Sequence, residues 1–117
     1  MKINENNAGL AAEKLAANYL IAHGLKMLEK NYHCRFGEID LIMIDNKTIV
    51  FIEVRLRTND KFGCAANSIT SIKQQKIIST AQHYLQQHGD CPCRFDAILM
   101  NKVDANHIEW IRNAFDT

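Results

Sequence analysis

Asp40 and Glu53 stand equidistant from Asn46-Lys47, a hairpin-length break between two runs rich in Ile, Val, Leu and Phe. If Asn46-Lys47 form a two-residue turn, Asp45 lies opposite Thr48. The pairs then run Ile44/Ile49, Ile42/Phe51, Asp40/Glu53 and Glu38/Arg55. The other face holds Ile39, Leu41, Met43, Val50, Ile52 and Val54, all apolar, and a one-residue slip would spoil that surface. This register sets two carboxylates against each other on a face whose far end is apolar. Like charges across a ladder destabilise it, and partial burial amplifies the repulsion. A shared proton would relieve it, as would compensation by Arg55 and a lysine. So would a bound divalent cation, for which paired oxygen ligands are the expected equipment.

A third acid belongs with them. On a helical wheel Glu13 falls between Ala17 and Leu20, inside the apolar arc and away from Lys14 and Asn18. A carboxylate there is costly unless something pairs with it. An isolated glutamate at such a place is ordinarily an edge residue reaching solvent. Beside Asp40 and Glu53 it reads as a third metal ligand. Glu38, the fourth acid, is placed to form an ion pair with Arg55 that orients the arginine.

The elements that must position these residues follow from periodicity and punctuation. The first helix is expected over about Gly9 to Ala22, capped by Asn7 and stopped at Gly24, with Leu10, Leu15, Ala16, Ala17, Tyr19 and Leu20 on its apolar side. Extended segments follow at Lys26–His33, Gly37–Asp45 and Thr48–Arg57. Arg57–Asn67 reads as a polar loop, and Ser68 as the cap of a long helix over about Ile69–His88 that ends at Gly89. Two more strands are expected at Arg94–Met100 and His107–Arg112. The order αβββαββ, with one helical crossover, implies a mixed α/β sheet flanked by helices. One domain is expected over 1–117, with 1–7 a flexible N-terminal segment.

The resemblance is carried by Gly9…Glu13, then Gly37-Glu38-Ile39-Asp40-Leu41-Ile42, then Phe51-Ile52-Glu53-Val54-Arg55-Leu56-Arg57. These stretches resemble the YraN family of small bacterial nuclease-like proteins, related to archaeal Holliday-junction resolvases within the PD-(D/E)xK superfamily. The similarity runs from about Gly9 to Asp96 and takes in Lys73, Lys76, Ala81…Tyr84-Leu85 and Arg94-Phe95-Asp96. It implies a restriction-endonuclease-like fold and a metal-dependent endonuclease that hydrolyses DNA phosphodiesters, with branched or junction DNA the expected preference. Asp40, Glu53, Glu13 and the backbone carbonyl of Val54 would hold Mg²⁺ or Mn²⁺. The metal would activate water and offset charge on the scissile phosphate. A lysine normally stands two residues after the glutamate, and here the position is Arg55. Arginine clamps phosphate through a planar fork of donors but stays protonated, so it cannot act as a general base.

Lys73, at the edge of the second helix's apolar face, is placed to reach inward as an auxiliary. Lys76 lies further toward solvent and suits a DNA-backbone contact, although a solvated helix face is the commoner fate of both. With Arg57 and Lys61 they would form a local basic region, giving salt-sensitive, sequence-tolerant binding. That locality is required, because 14 Lys and Arg against 13 Asp and Glu leave a net charge of only +1. By analogy with resolvases a homodimer is expected.

Two rivals stand beside the nuclease. One is a non-catalytic nucleic-acid-binding protein that kept the fold and lost turnover through Arg55. The other is a protein-interaction module, favoured by the near-neutral charge. No apolar run is long enough to span a membrane, and the polar Met1–Asn7 does not resemble a secretory signal, so a cytoplasmic location with reduced thiols is expected. Cys91-Pro92-Cys93 lacks the C-x-x-C spacing of a zinc or redox site, the five histidines form no metal pattern, and Trp110 reads as packing.

Overall fold

The computed structural model describes residues 7–56 and 69–116. The chain runs α1 (Asn7–Ala22), β1 (Lys26–Cys34), β2 (Gly37–Asp45), β3 (Thr48–Leu56), α2 (Ser71–His88), β4 (Cys93–Met100) and β5 (Ile108–Phe115), with a 3₁₀ turn at Ala105–His107 before β5. The five strands form one sheet in the order β1-β2-β3-β4-β5. Only the β3–β4 pairing is parallel, and α2 makes the crossover between those strands. The expected αβββαββ mixed α/β layout is therefore what the chain adopts.

Several element bounds move. The first helix starts two residues early, at Asn7, and the last strand continues to Phe115. The second helix starts at Ser71 and not Ile69, because its cap is Thr70, whose hydroxyl accepts from the Lys73 N–H at 3.1 Å. Ser68, the expected cap, lies outside the described residues, as do Arg57, Lys61 and the loop joining β3 to α2. Among the described residues no helix is long and apolar enough to cross a membrane.

Strict alternation in the central strands feeds two cores. Leu41, Met43, Val50, Ile52, Ile98 and Met100 pack with Ala12, Ala16, Ala17 and Leu20 of α1. Ile42, Ile49, Phe51, Phe95, Ala97 and Leu99 pack with Ile77, Ile78, Ala81 and Tyr84 of α2. The sheet is thus buried on both faces, which explains its near-continuous apolar strands. Leu10, expected on the apolar side of α1, is instead 51% exposed, and Ala12 takes a buried place there. The alanine run lets α1 lie close on the sheet, over the end where the acids sit.

Candidate carboxylate site at the β2–β3 seam

The hairpin register is as the alternation requires: Asp45 pairs with Thr48, Ile44 with Ile49, Ile42 with Phe51 and Leu41 with Ile52. Asn46 takes φ 58°, a left-handed conformation that asparagine tolerates, so the tight turn costs little there. The regular pairing stops at Leu41/Ile52. The expected pairs Asp40/Glu53 and Glu38/Arg55 do not form. Instead the Asp40 carboxylate accepts from the Val54 N–H at 2.8 Å, filling the place of a ladder bond with a side chain.

β1, the other neighbour of β2, is irregular as well. Its pairing with β2 shifts register between Met27 and Glu29, and Asn31, across from Asp40, takes φ 50°. β2 turns there, and parity breaks. Ile39 consequently joins the α2-side core with Ile42, and not the face of Leu41 and Met43 on which alternation placed it. Gly37 makes the close approach to α2 that this path needs. A Cβ there would meet the Thr80 hydroxyl at 3.3 Å and the Lys76 Cβ at 3.4 Å.

The seam gathers side chains from both faces. Glu53, 6% exposed, points toward α2, where the Lys73 ammonium lies 2.9 Å from its carboxylate. Arg55 sits 3.6 Å from the same oxygen, so it pairs with Glu53 and not with Glu38. Glu13 comes from α1, within side-chain hydrogen-bonding reach of Asp40 and Asn31. Burial pushes the Asp40 carboxyl up to about 8, the negative charges of Glu53 and Glu13 push the same way, and the Val54 N–H and Lys73 oppose them. Burial likewise raises Glu13, helped by Glu38 and Glu53, against the hydrogen bonds from Asp40 and Asn31.

Two of the reliefs anticipated for the crowded carboxylates have counterparts here: Asp40 is pushed toward keeping its proton, and cations lie against Glu53. As potential ligands the three acids offer hard carboxylate oxygens, the donor type that Mg²⁺ and Mn²⁺ take. Among the described residues, however, no three His, Cys, Asp or Glu side chains are grouped closely enough to hold a metal ion as they stand. The donor chemistry fits such an ion, and its entry would require Asp40 to lose its proton and Lys73 to share Glu53.

A second buried acid escaped the sequence reading except as part of a resemblance. Asp96 is 0% exposed. It accepts from Arg94 Nε at 3.1 and 3.2 Å, Trp110 Nε1 at 2.9 Å and the Asn113 N–H at 3.0 Å. Trp110 is thus a hydrogen-bonding strut as well as packing. The signal was legible: an aspartate inside the apolar run Phe95–Met100 must be fully partnered or absent. Cys34, Cys91 and Cys93 form no disulfide.

A three-layer α/β domain with acids collected at an opened sheet seam is the class that fold and site define. The chain belongs to the Uncharacterised protein family UPF0102, whose model matches residues 12–100. It is 60% identical to a UPF0102 protein of Nitrosomonas europaea over 111 residues, 94% of each chain. A UPF0102 protein of Methylobacillus flagellatus is 60% identical over 104 residues, covering 89% of this chain and 92% of that one. One from Psychromonas ingrahamii is 54% identical over 111 residues, 94% of this chain and 90% of the other. The matched region contains Glu13, Asp40, Glu53, Arg55, Lys73 and Lys76.

Proposed function

We propose that the protein is a metal-dependent nuclease acting on DNA phosphodiesters. The observation that carries this reading is the Asp40 carboxylate, half-buried in the seam, holding the Val54 N–H at 2.8 Å and crowded by Glu53 and Glu13. A fold that only needed stability would place an apolar or amide side chain there. When bound, Mg²⁺ or Mn²⁺ supplies Lewis-acid chemistry that activates water and offsets charge on phosphate.

The chain's own residues have separable tasks in this reading. Asp40, Glu53, Glu13 and the Val54 carbonyl would hold the ion. The Val54 N–H orients Asp40. Arg55 turns its planar guanidinium to a phosphate oxygen and stabilises charge without taking up a proton. Lys73, already at Glu53, is the nearest ammonium to the acids and adds positive charge where the phosphate must come. Branched or junction DNA is the substrate class we assign, and a homodimer the working assembly.

A second reading, a non-catalytic nucleic-acid-binding protein, is favoured by the two cations resting on Glu53. Calorimetric titration with Mn²⁺ separates them, using wild type, Asp40→Asn and Glu53→Gln with cleavage assays on the same samples. Saturable binding abolished in both variants, together with cleavage by wild type, is the expected result. Binding without cleavage on branched, single-stranded or duplex DNA would shift the conclusion to the second reading. Absence of Mn²⁺ binding even with DNA present would remove the metal site.

A further inference from the structure

Beside the acid cluster lies a groove of about 600 Å³ between the tip of the β1–β2 hairpin and the first turns of α2. Its two walls differ in chemistry. The α2 wall carries Lys73 and Lys76, and the hairpin wall carries Glu38. Between them Cys34, Ile72 and Ile77 give apolar surface. Ile77 is buried, but Ile72 is 73% exposed, and packing among the described residues does not account for it. The groove opens onto the carboxylate cluster through Lys73, which lines it while its ammonium contacts Glu53.

We propose that this groove receives one unpaired nucleotide of a DNA strand whose adjacent phosphodiester lies at the carboxylate seam. The proposal rests on the nuclease reading and names the form of substrate the site selects. A volume of this size is that of a small-molecule site, typically ~300–1,000 Å³, and accommodates a base with its sugar. The lysine wall matches a phosphodiester backbone in charge. Glu38 repels phosphate from the opposite wall, so the backbone must run along α2 and the base must turn inward. Cys34, Ile72 and Ile77 then meet the base with apolar surface. A paired base cannot enter, because its faces are stacked and its edge is engaged. Unpaired bases splay into such pockets without that cost.

The test uses the full chain and a labelled oligothymidylate, compared by fluorescence anisotropy with a blunt duplex of equal length. The single strand should bind about tenfold more tightly, and Ile72→Glu, a change at an exposed position, should weaken it by about tenfold with an unaltered melting curve. Alkylation of Cys34, followed by peptide mass mapping, should slow when the strand is present, while that of Cys91 should not. Equal affinity for duplex, undiminished binding by Ile72→Glu, or unprotected Cys34 each overturns the proposal. A parallel Mn²⁺ titration keeps the two readings apart. Metal binding with no affinity for the strand removes the groove and leaves the metal site standing. Strand binding and Cys34 protection without metal binding support the groove and remove the metal.

Discussion

Between the ordinary aspartate value of 3.8 and about 8, Asp40 holds a proton in the folded chain that the unfolded chain releases. The folded state therefore binds more protons across that window, and stability must fall as pH rises through it. For one proton the slope is at most ~1.4 kcal/mol per pH unit, and Glu13, also raised, acts in the same direction. Asp40→Asn keeps an acceptor for the Val54 N–H and removes the charge. In metal-free buffer the variant should be more stable than wild type near pH 8, by roughly 1–3 kcal/mol, with the gap shrinking as pH falls to about 5 and closing near the unfolded value of 3.8. Urea denaturation at the two pH values measures it, and a gap that does not change with pH would mean Asp40 is ionised throughout. The same proton must leave when a divalent ion binds. Near neutral pH, Mn²⁺ binding should release about one proton, seen as a binding heat that depends on the ionisation enthalpy of the buffer. A heat that does not vary between buffers would contradict a protonated Asp40.

At the scale of elements, the acids meet because β2 and β3 separate at Asp40, and that separation was only partly legible in the residues. Asn46-Lys47 and the alternation of Ile42, Met43, Val50 and Phe51 determine the register without help from the rest of the chain. The place where the ladder stops coincides with the left-handed Asn31 in the neighbouring strand, which stands across from Asp40. A bulge in one strand cannot be read from the hydrophobic pattern of another, so Ile39 was assigned to the wrong face and Glu38 to the wrong partner. The inward reach of Lys73 was foreseeable from its place on the helix edge; its 2.9 Å contact with Glu53 needed the crossover geometry. The other end of the sheet depends on Asp96 in a comparable way. Pairing of β4 with β5 is irregular between Phe95 and Ala97, Asn113 takes φ 54°, and the Asp96 carboxylate bonds across the irregularity to Trp110 and Asn113. Asp96→Ala takes the acceptor from Arg94 Nε, the indole N–H and the Asn113 N–H, leaves Arg94 its 3.2 Å ion pair with Asp45, and should cost ~1–3 kcal/mol. Trp110, the only tryptophan, reports it directly. Its emission should shift to the red in the folded variant, and amides of β5 should exchange faster than those of β3. Unchanged emission would mean β5 is held by its packing alone.

For the molecule as a whole, a net charge of +1 sets how nucleic acid can be bound. There is no overall attraction to draw in a polyanion, and the acids at the seam repel one. Binding must therefore come from a few cations arranged on one side: Arg55 at the seam, with Lys73 and Lys76 on the adjoining wall of α2. Arg57 and Lys61 follow Arg55 in the chain and were assigned to the same region. If each of these neutralises one phosphate of a single strand, log Kd should rise with log salt concentration with a slope of about 3–4. Lys76→Glu should lower that slope by about 1 and weaken binding to all sequences alike. Anisotropy titrations over a range of KCl concentrations measure both. A slope near zero would leave no electrostatic contact with phosphate and favour a protein partner instead. A slope well above 4 would require cations beyond this face, which a second copy of the chain, bringing its own lysines to the same strand, is the simplest means of supplying.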